Sequence, residues 1–254
     1  MTLVDDRYVV AETLSDGWLD AVRLLHDTDG QKVVHLIVRI LRPQTEVFEI
    51  RRAAQGLIEE WNNGHTEMPD IETTRNTIFP ATYARRTSGP EELVAYYRER
   101  YTKDGLLGFK DNDRGTYFGR IVAYPRGKGK EPADQLSNTV RKLRQELAEP
   151  KGSHKSSRYE INIYSEACDT SPMSFPCLAH LSIHLHDRNV HLQAVYRNES
   201  LIARGYGNFL GLAELQAYIA EHSGAGVGEL MITAGHAELD GLKRPVTKML
   251  QAFA

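Results

Sequence analysis

The sequence predicts an α+β domain around a mixed or antiparallel sheet flanked by helices. Three observations lead there. Lys32 to Leu41 is a β-branched run with the composition of a buried strand. Three alternating stretches follow one another later in the chain: Arg158 to Tyr164, Cys177 to His186 and Val190 to Arg197. Helical spacing of apolar residues fills several of the remaining segments, without the regular strand–helix alternation of a parallel sheet.

Each element has a local reason. Asp16-Gly17 precede Trp18 to Leu25, whose apolar spacing is helical, and Asp16 offers an N-cap. Glu46 to Trp61 reads as a helix stopped by Asn62-Asn63-Gly64. Residues 62–90 are polar and interrupted by Pro69, Pro80 and Pro90, which predicts a long functional loop. Glu91 to Tyr101 is helical, and Thr116 to Tyr124 reads as a strand or extended turn. Arg126-Gly127-Lys128-Gly129-Lys130 is a basic loop, and solvation suits it better than phosphate binding. Asp134 to Leu147 is an amphipathic helix, followed by a flexible polar loop from Lys151 to Ser157. Asp187-Arg188-Asn189 joins the last two strands of the trio. Asn208 to His222 is a helix with Leu210, Leu212, Leu215, Tyr218 and Ile219 facing a core. A strand from Glu229 to Leu239 and a helix from Arg244 to Phe253 close the chain. No Pro/Gly/Ser-rich linker divides it, so residues 1–254 are expected to form a single domain.

Composition narrows the function. A formal net charge of -3 offers no global basic field for nucleic acid. The apolar runs are far shorter than the ~18 residues of a membrane span. The acidic start, Met1 to Asp6, lacks a signal-peptide core. Two cysteines, Cys168 and Cys177, make no disulfide framework, and a reduced, cytoplasmic protein is expected.

The chemistry centres on Cys177, in the run Ser174-Phe175-Pro176-Cys177 that leads into a strand. Pro176 fixes the backbone before the thiol, and a nearby guanidinium would raise its thiolate fraction. Tyr196-Arg197-Asn198-Glu199-Ser200 ends the next strand, and Asn208 opens a helix. A thiolate, a guanidinium and a side-chain amide suit covalent chemistry on an anionic substrate with a polar ring edge. His180, Ser182, His184 and His186 share one strand face opposite Cys177. They suit an interface better than a metal, and no metal site is expected. Gly205-Tyr206-Gly207 is too short for a dinucleotide fingerprint and suits a close turn into the Asn208 helix.

These stretches resemble the thymidylate synthase superfamily, of which the chain would be a divergent member. The resemblance rests on Pro176-Cys177, Arg197-Asn198 and Asn208, in that order and spacing. Asp134-Gln135-Leu136 is similar to the family's Asp-Gln-hydrophobic helix start, and Ser156-Ser157-Arg158 to its Ser-Arg-Arg phosphate loop with one Arg lost. Gly115-Thr116-Tyr117-Phe118-Gly119-Arg120 is similar to its Gly-Pro-x-Tyr-Gly turn. The likeness covers residues from about 112 to 239 and is weak upstream.

The resemblance implies a thymidylate synthase-like fold with a two-fold homodimer through the sheet face. It implies that Cys177 adds to C6 of a pyrimidine nucleotide monophosphate, so that C5 takes a one-carbon unit from 5,10-methylenetetrahydrofolate. Asn208 would read the O4/N3 edge, Arg197 the 5′-phosphate beside Asn198, and Tyr117 would assist proton removal at C5. Ser157 and Arg158 would serve the partner's phosphate site. A helix carboxylate, Glu60 or its neighbour Glu59, would order water; Glu60 is the preferred candidate, and a solvated surface role remains open for both.

Departures from the family pattern shift the expected reaction. Ser200 stands where the family's folate-contacting Asp falls, as it does in members that make hydroxymethyl pyrimidines. The family's Gly-Asp-Ala-His-x-Tyr sugar motif becomes Gly235-His236-Ala237-Glu238-Leu239-Asp240, which assigns Glu238 and Asp240 to sugar recognition and makes a ribonucleotide possible. The early Arg-containing phosphate loop and the tryptophan-rich folate shield are not evident. Hydroxymethylation is therefore favoured, with reductive methylation of dUMP and a non-catalytic nucleotide-binding protein as alternatives. Asn208 suits uracil, because a cytosine reader would more simply use Asp.

Overall fold

The computed structural model describes residues 7–63, 67–103, 115–149, 159–170 and 176–253. Its strands are β1 (Tyr8–Thr13), β2 (Lys32–Arg42), β3 (Tyr159–Asn162), β4 (Leu178–His186), β5 (Asn189–Tyr196), β6 (Glu199–Ser200) and β7 (Gly226–Glu238). Its helices are α1 (Leu14–Asp27), α2 (Phe48–Asn62), α3 (Ile71–Ile78), α4 (Ala81–Ala84), α5 (Pro90–Lys103), α6 (Tyr117–Val122), α7 (Gln135–Ala148), α8 (Tyr206–Ser223) and α9 (Lys243–Gln251). The strand order is β1-β2-β7-β5-β4-β3, with β6 paired to β7. Parallel and antiparallel pairs coexist, so the chain is α+β with an open mixed sheet flanked by helices. Two compact units interleave in sequence: residues Met1–Arg75, Gln193–Ala213 and Glu229–Ala254 form one, and Asn76–Leu192 with Glu214–Gly228 form the other.

In the first unit, β1 runs parallel to β2 and β2 antiparallel to β7. Thr13, rather than Asp16, caps α1. Its Oγ1 accepts the Asp16 N–H at 3.1 Å and its hydroxyl donates to the Asp16 carboxylate at 2.6 Å, a reciprocal cap. Leu14, Trp18, Val22 and Leu25 of α1 are buried, as are Leu36, Val38 and Ile40 of β2. Gly17 lets the helix lie close, since a Cβ there would sit 2.9 Å from Ile40 Cγ1.

The burial pattern of β2 changes phase midway. Val33 is buried, His35 takes a φ of 61°, and Leu36, Val38 and Ile40 are buried beyond it. Strand β7 shifts in step, from Leu230, Ile232 and Ala234 to Ala237. The pairs Leu36↔Ala234 and Val34↔His236 flank the change, so register survives while the pleat turns over. Gly235 lies between them, and a Cβ on it would stand 3.1 Å from the Arg197 carbonyl oxygen.

In the second unit, Phe79, Tyr97, Phe118 and Tyr218 form an aromatic core, with Tyr97–Phe118 centroids 4.7 Å apart and Phe79–Tyr218 5.1 Å apart. Asp187 and Arg188, at φ 47° and 62°, make the tight connection between β4 and β5.

Two further sequence expectations change. Residues 62–90 are not a long loop, because α3 and α4 lie within them. Asp70 caps α3, accepting the Thr73 N–H at 2.6 Å. Pro69 and Pro80 precede α3 and α4, and Pro90 begins α5, where a missing N–H costs nothing. Within Thr116 to Tyr124, Tyr117–Val122 is helical: Thr116 caps α6 by accepting the Gly119 N–H at 3.0 Å, and Phe118, Ile121 and Val122 bury at helical spacing, while Tyr124 pairs with Ala133 in an antiparallel bridge. Strand β1 is an element that the sequence reading does not contain. Lys151 to Ser157 lies outside the described residues.

The glycines supply a packing test. A Cβ on Gly207, near the start of α8, would stand 2.6 Å from Thr74 Cβ and 2.8 Å from the Ile71 carbonyl oxygen. Gly56, inside α2, has nothing within 4 Å of that position. Gly207→Ala should destabilise by about 1–3 kcal/mol through overpacking, whereas Gly56→Ala should stabilise by roughly 0.5–1 kcal/mol. Urea denaturation of the two variants checks the contrast.

Candidate functional site

The most constrained polar cluster of the first unit forms where β6 leaves the sheet and the chain turns into α8. Strand β6 pairs parallel with β7, Glu199 opposite Ala237 and Ser200 opposite Glu238. Leu201–Gly205 then forms a π-helical turn that feeds α8. A helix start leaves N–H groups without intrahelical partners. Asp240, in the left-handed region at φ 55° just beyond β7, answers two of them. Its Oδ2 accepts the N–H groups of Ile202 and Ala203, each at 3.1 Å. The Ser200 side chain also hydrogen-bonds to this carboxylate.

The opposite side of the turn is held by α1. The Trp18 indole donates to the Leu201 carbonyl oxygen at 2.8 Å. The Tyr206 ring meets Trp18 edge-on, with centroids 5.4 Å apart. The Tyr206 hydroxyl donates to Glu46 at 3.1 Å and shares a 2.8 Å bond with Ser15 Oγ. Burial pushes the Tyr206 phenol well above its ordinary range, so it stays a neutral donor.

This scaffold buries an amide beside a carboxyl group. Asn208, 4% exposed, donates from Nδ2 to Glu199 Oε1 at 2.9 Å. Glu199 is 2% exposed, and its Oε2 has no hydrogen-bond partner among the described residues. Burial raises the Glu199 carboxyl to about 8. The Asn208 hydrogen bond and Arg204 oppose the shift, and Asp240 adds to it. Asp240 is itself raised, by burial first and by Glu238 last, against the bonds from Ala203, Ser200 and Ile202.

The predicted residues of the first unit occupy different settings. Ser200 is half-buried against Asp240. Glu238 pairs with Lys32 at 2.9 Å, and Asp240 is engaged by the turn it caps, so both assigned sugar ligands have internal partners. Asn198 meets His236 instead, with 2.6 Å between Oδ1 and Nδ1. Arg197 is exposed beyond β5. Glu59 and Glu60 are exposed on α2, and Glu59 accepts from Gln55 at 3.2 Å.

Cys177 and Tyr117 belong to the second unit. Cys177 is partly buried immediately before β4, and Tyr117 is the first residue of α6, partly exposed. Thr116 shares a 2.7 Å bond with the Tyr97 hydroxyl. Arg120 grips the buried Asp169 with both terminal nitrogens, at 2.6 and 3.2 Å. A cavity of about 570 Å³ in this unit is lined by Tyr97, Arg98, Thr116, Arg120, Glu131 and Cys168 among others, but not by Cys177 or Tyr117. On β4, His180 and Ser182 reach Glu160 at 2.5 and 3.0 Å. Among the described residues no group of three or more His, Cys, Asp or Glu suits a metal ion. No described helix is long and apolar enough to cross a membrane. Ser157 and Arg158 lie outside the described residues.

Glu199 and His236 carry no functional assignment from sequence: nothing local marks Glu199 as buried, and His236 is not one of the two motif positions assigned to sugar recognition. No protein-family model matches the chain, and no curated protein matches it significantly.

The raised Glu199 carboxyl couples folding to pH. Below its ordinary value of 4.5 the folded and unfolded chains are both protonated there. Between 4.5 and about 8 the unfolded chain loses this proton while the folded chain keeps it, so stability falls across that window and then levels. Glu199→Gln removes the loss. Its stability relative to the wild type should rise through that window, by more than about 1 kcal/mol at the top. Urea denaturation across the range reads this directly, and a pH-independent difference would contradict it.

Proposed function

We propose that this chain is a folate-dependent enzyme transferring a one-carbon unit to C5 of a pyrimidine nucleotide monophosphate, with hydroxymethylation as the favoured outcome. The carrying observation is Asn208. Its amide is buried at the head of α8 and tethered by Glu199, an arrangement suited to reading a polar ring edge rather than to surface solvation. The reading takes as its other groups Cys177, before β4, Arg197, after β5, and Tyr117, at the start of α6.

Cys177 adds through its thiolate to C6 of the ring, which turns C5 into a carbon nucleophile. Donors at the O4 edge, Asn208 among them, stabilise the charge that develops there. Arg197 holds the phosphate by charge-assisted hydrogen bonds. Methylenetetrahydrofolate supplies the one-carbon unit at the oxidation level of formaldehyde. Ser200 suits the pterin side because its side chain, bonded to Asp240, remains half-exposed. The C5 hydrogen departs as a proton, and Tyr117 assists that removal. Water adds to the exocyclic carbon in place of hydride, and Cys177 leaves by elimination. The net reaction consumes one water and returns tetrahydrofolate. The reading carries a homodimer in which Arg158 is donated across the two-fold axis, and the exposed Tyr8 and Val10 on one face of β1 favour a covered sheet.

Release of tritium from nucleotides labelled at C5 tests the reaction. Methylenetetrahydrofolate-dependent release from a uridine monophosphate, ribo or deoxy, is expected, with a loss of at least about 10³-fold in Cys177→Ser. Absence of release from every uridine and cytidine monophosphate would contradict the proposal.

A further inference from the structure

The reaction proposed above uses Asn208 but leaves Glu199 without a part. Glu199 is nonetheless the most deeply buried carboxyl group of the cluster, and one of its oxygens has no partner among the described residues. A carboxyl group in such surroundings is costly unless it is neutral or serves another group. The other oxygen, Oε1, accepts the Asn208 amide at 2.9 Å. Both residues are immobilised. Glu199 is paired in β6, and Asn208 is two residues beyond Tyr206, itself bonded to Ser15 and Glu46.

We infer that Glu199 is a positioning residue that holds one Nδ2 N–H of Asn208, fixing the direction in which the other N–H and Oδ1 point, and so decides which pyrimidine edge the site accepts. The inference rests on the pyrimidine reading of the site. Uracil offers an acceptor at O4 beside a donor at N3, while cytosine offers a donor at N4 beside an acceptor at N3. A side-chain amide that rotates by half a turn exchanges donor and acceptor and can read either edge. An amide whose Nδ2 is committed to a fixed acceptor presents one order only. It therefore favours one base and leaves the other with a donor facing a donor.

The surroundings keep Glu199 suited to this task. With its carboxyl raised to about 8, the neutral acid dominates at neutral pH. It offers a carbonyl acceptor to Nδ2 without placing a full negative charge behind the edge where the substrate gathers charge. The charged groups that act on it are Asp240, from beyond β7, and Arg204, from the turn into α8. Gln at position 199 keeps a carbonyl acceptor and should preserve the lock. Leu removes it.

Two measurements test the inference. In the wild type without ligand, the side-chain amide resonances of Asn208, assigned by their loss in Asn208→Asp, should shift with a titration near pH 8 that disappears in Glu199→Gln. In parallel, calorimetry without folate compares UMP and CMP binding to the wild type, Glu199→Gln and Glu199→Leu. The wild type should prefer one base by at least about 10-fold, Glu199→Gln should keep that preference within about 3-fold, and Glu199→Leu should bring the ratio near one. Asn208 resonances indifferent to the titration, or full discrimination in Glu199→Leu, would overturn the inference. Failure of the folded wild type to bind either nucleotide overturns the pyrimidine reading and the specificity half together. The amide titration, which needs neither ligand nor a folded Leu variant, then decides the positioning half alone.

Discussion

Two backbone N–H groups at the start of a buried turn must find acceptors, and Asp240 supplies one oxygen to both. Much of the first unit's polar organisation follows from that obligation. The bond from Asp240 to Ile202 and Ala203 ties the end of β7 to the entrance of α8. Trp18 completes the clamp from α1 by donating to Leu201. With the turn held on both sides, Glu199 and Asn208 have no freedom to reach solvent, and a carboxyl group and an amide are left to satisfy each other. The elevated Glu199 carboxyl is a consequence of the clamp as much as of its own position.

The sheet contributes a second constraint. His35 in the left-handed region and the glycine at 235 let β2 and β7 turn their pleat over together without losing register. Gly235 admits the backbone of Arg197 at close range, and the next residue, His236, meets Asn198. The phase change therefore sets where the segment 197–200 can lie. A uniformly alternating strand would have put His236 and Ala237 on the faces opposite to those they occupy.

The longer elements were legible in the sequence because their signals were long. The β-branched run became β2, the apolar helical spacing from Leu210 to Ile219 became the body of α8, and Asp134 caps α7 by accepting the Ser137 N–H at 3.0 Å. The short helices were not legible. Four or eight residues show too little periodicity to outweigh their prolines, and Tyr117 to Val122 is rich in residues that favour strands. At the site, Asn208 and the run from Arg197 to Ser200 stood out by residue type and spacing. Glu199 did not, because burial of a carboxylate depends on the turn and the Asp240 clamp, which are tertiary. Glu238 and Asp240 looked like ligands in sequence, yet Lys32 and the turn amides engage them. Carboxylates next to a site serve its architecture as readily as its substrate.

The most direct test of the account is whether the chain can be trapped in the middle of the proposed reaction. A 5-fluoropyrimidine nucleotide has no proton at C5 to release, so an enzyme of this chemistry stops as a ternary covalent complex. Intact mass would be measured after incubation with methylenetetrahydrofolate and, separately, the 5-fluoro derivatives of dUMP, UMP and the cytidylates. The account predicts an added mass equal to one nucleotide plus one folate on the wild type and none on Cys177→Ser. Reversible nucleotide binding with no adduct from any of them would contradict it.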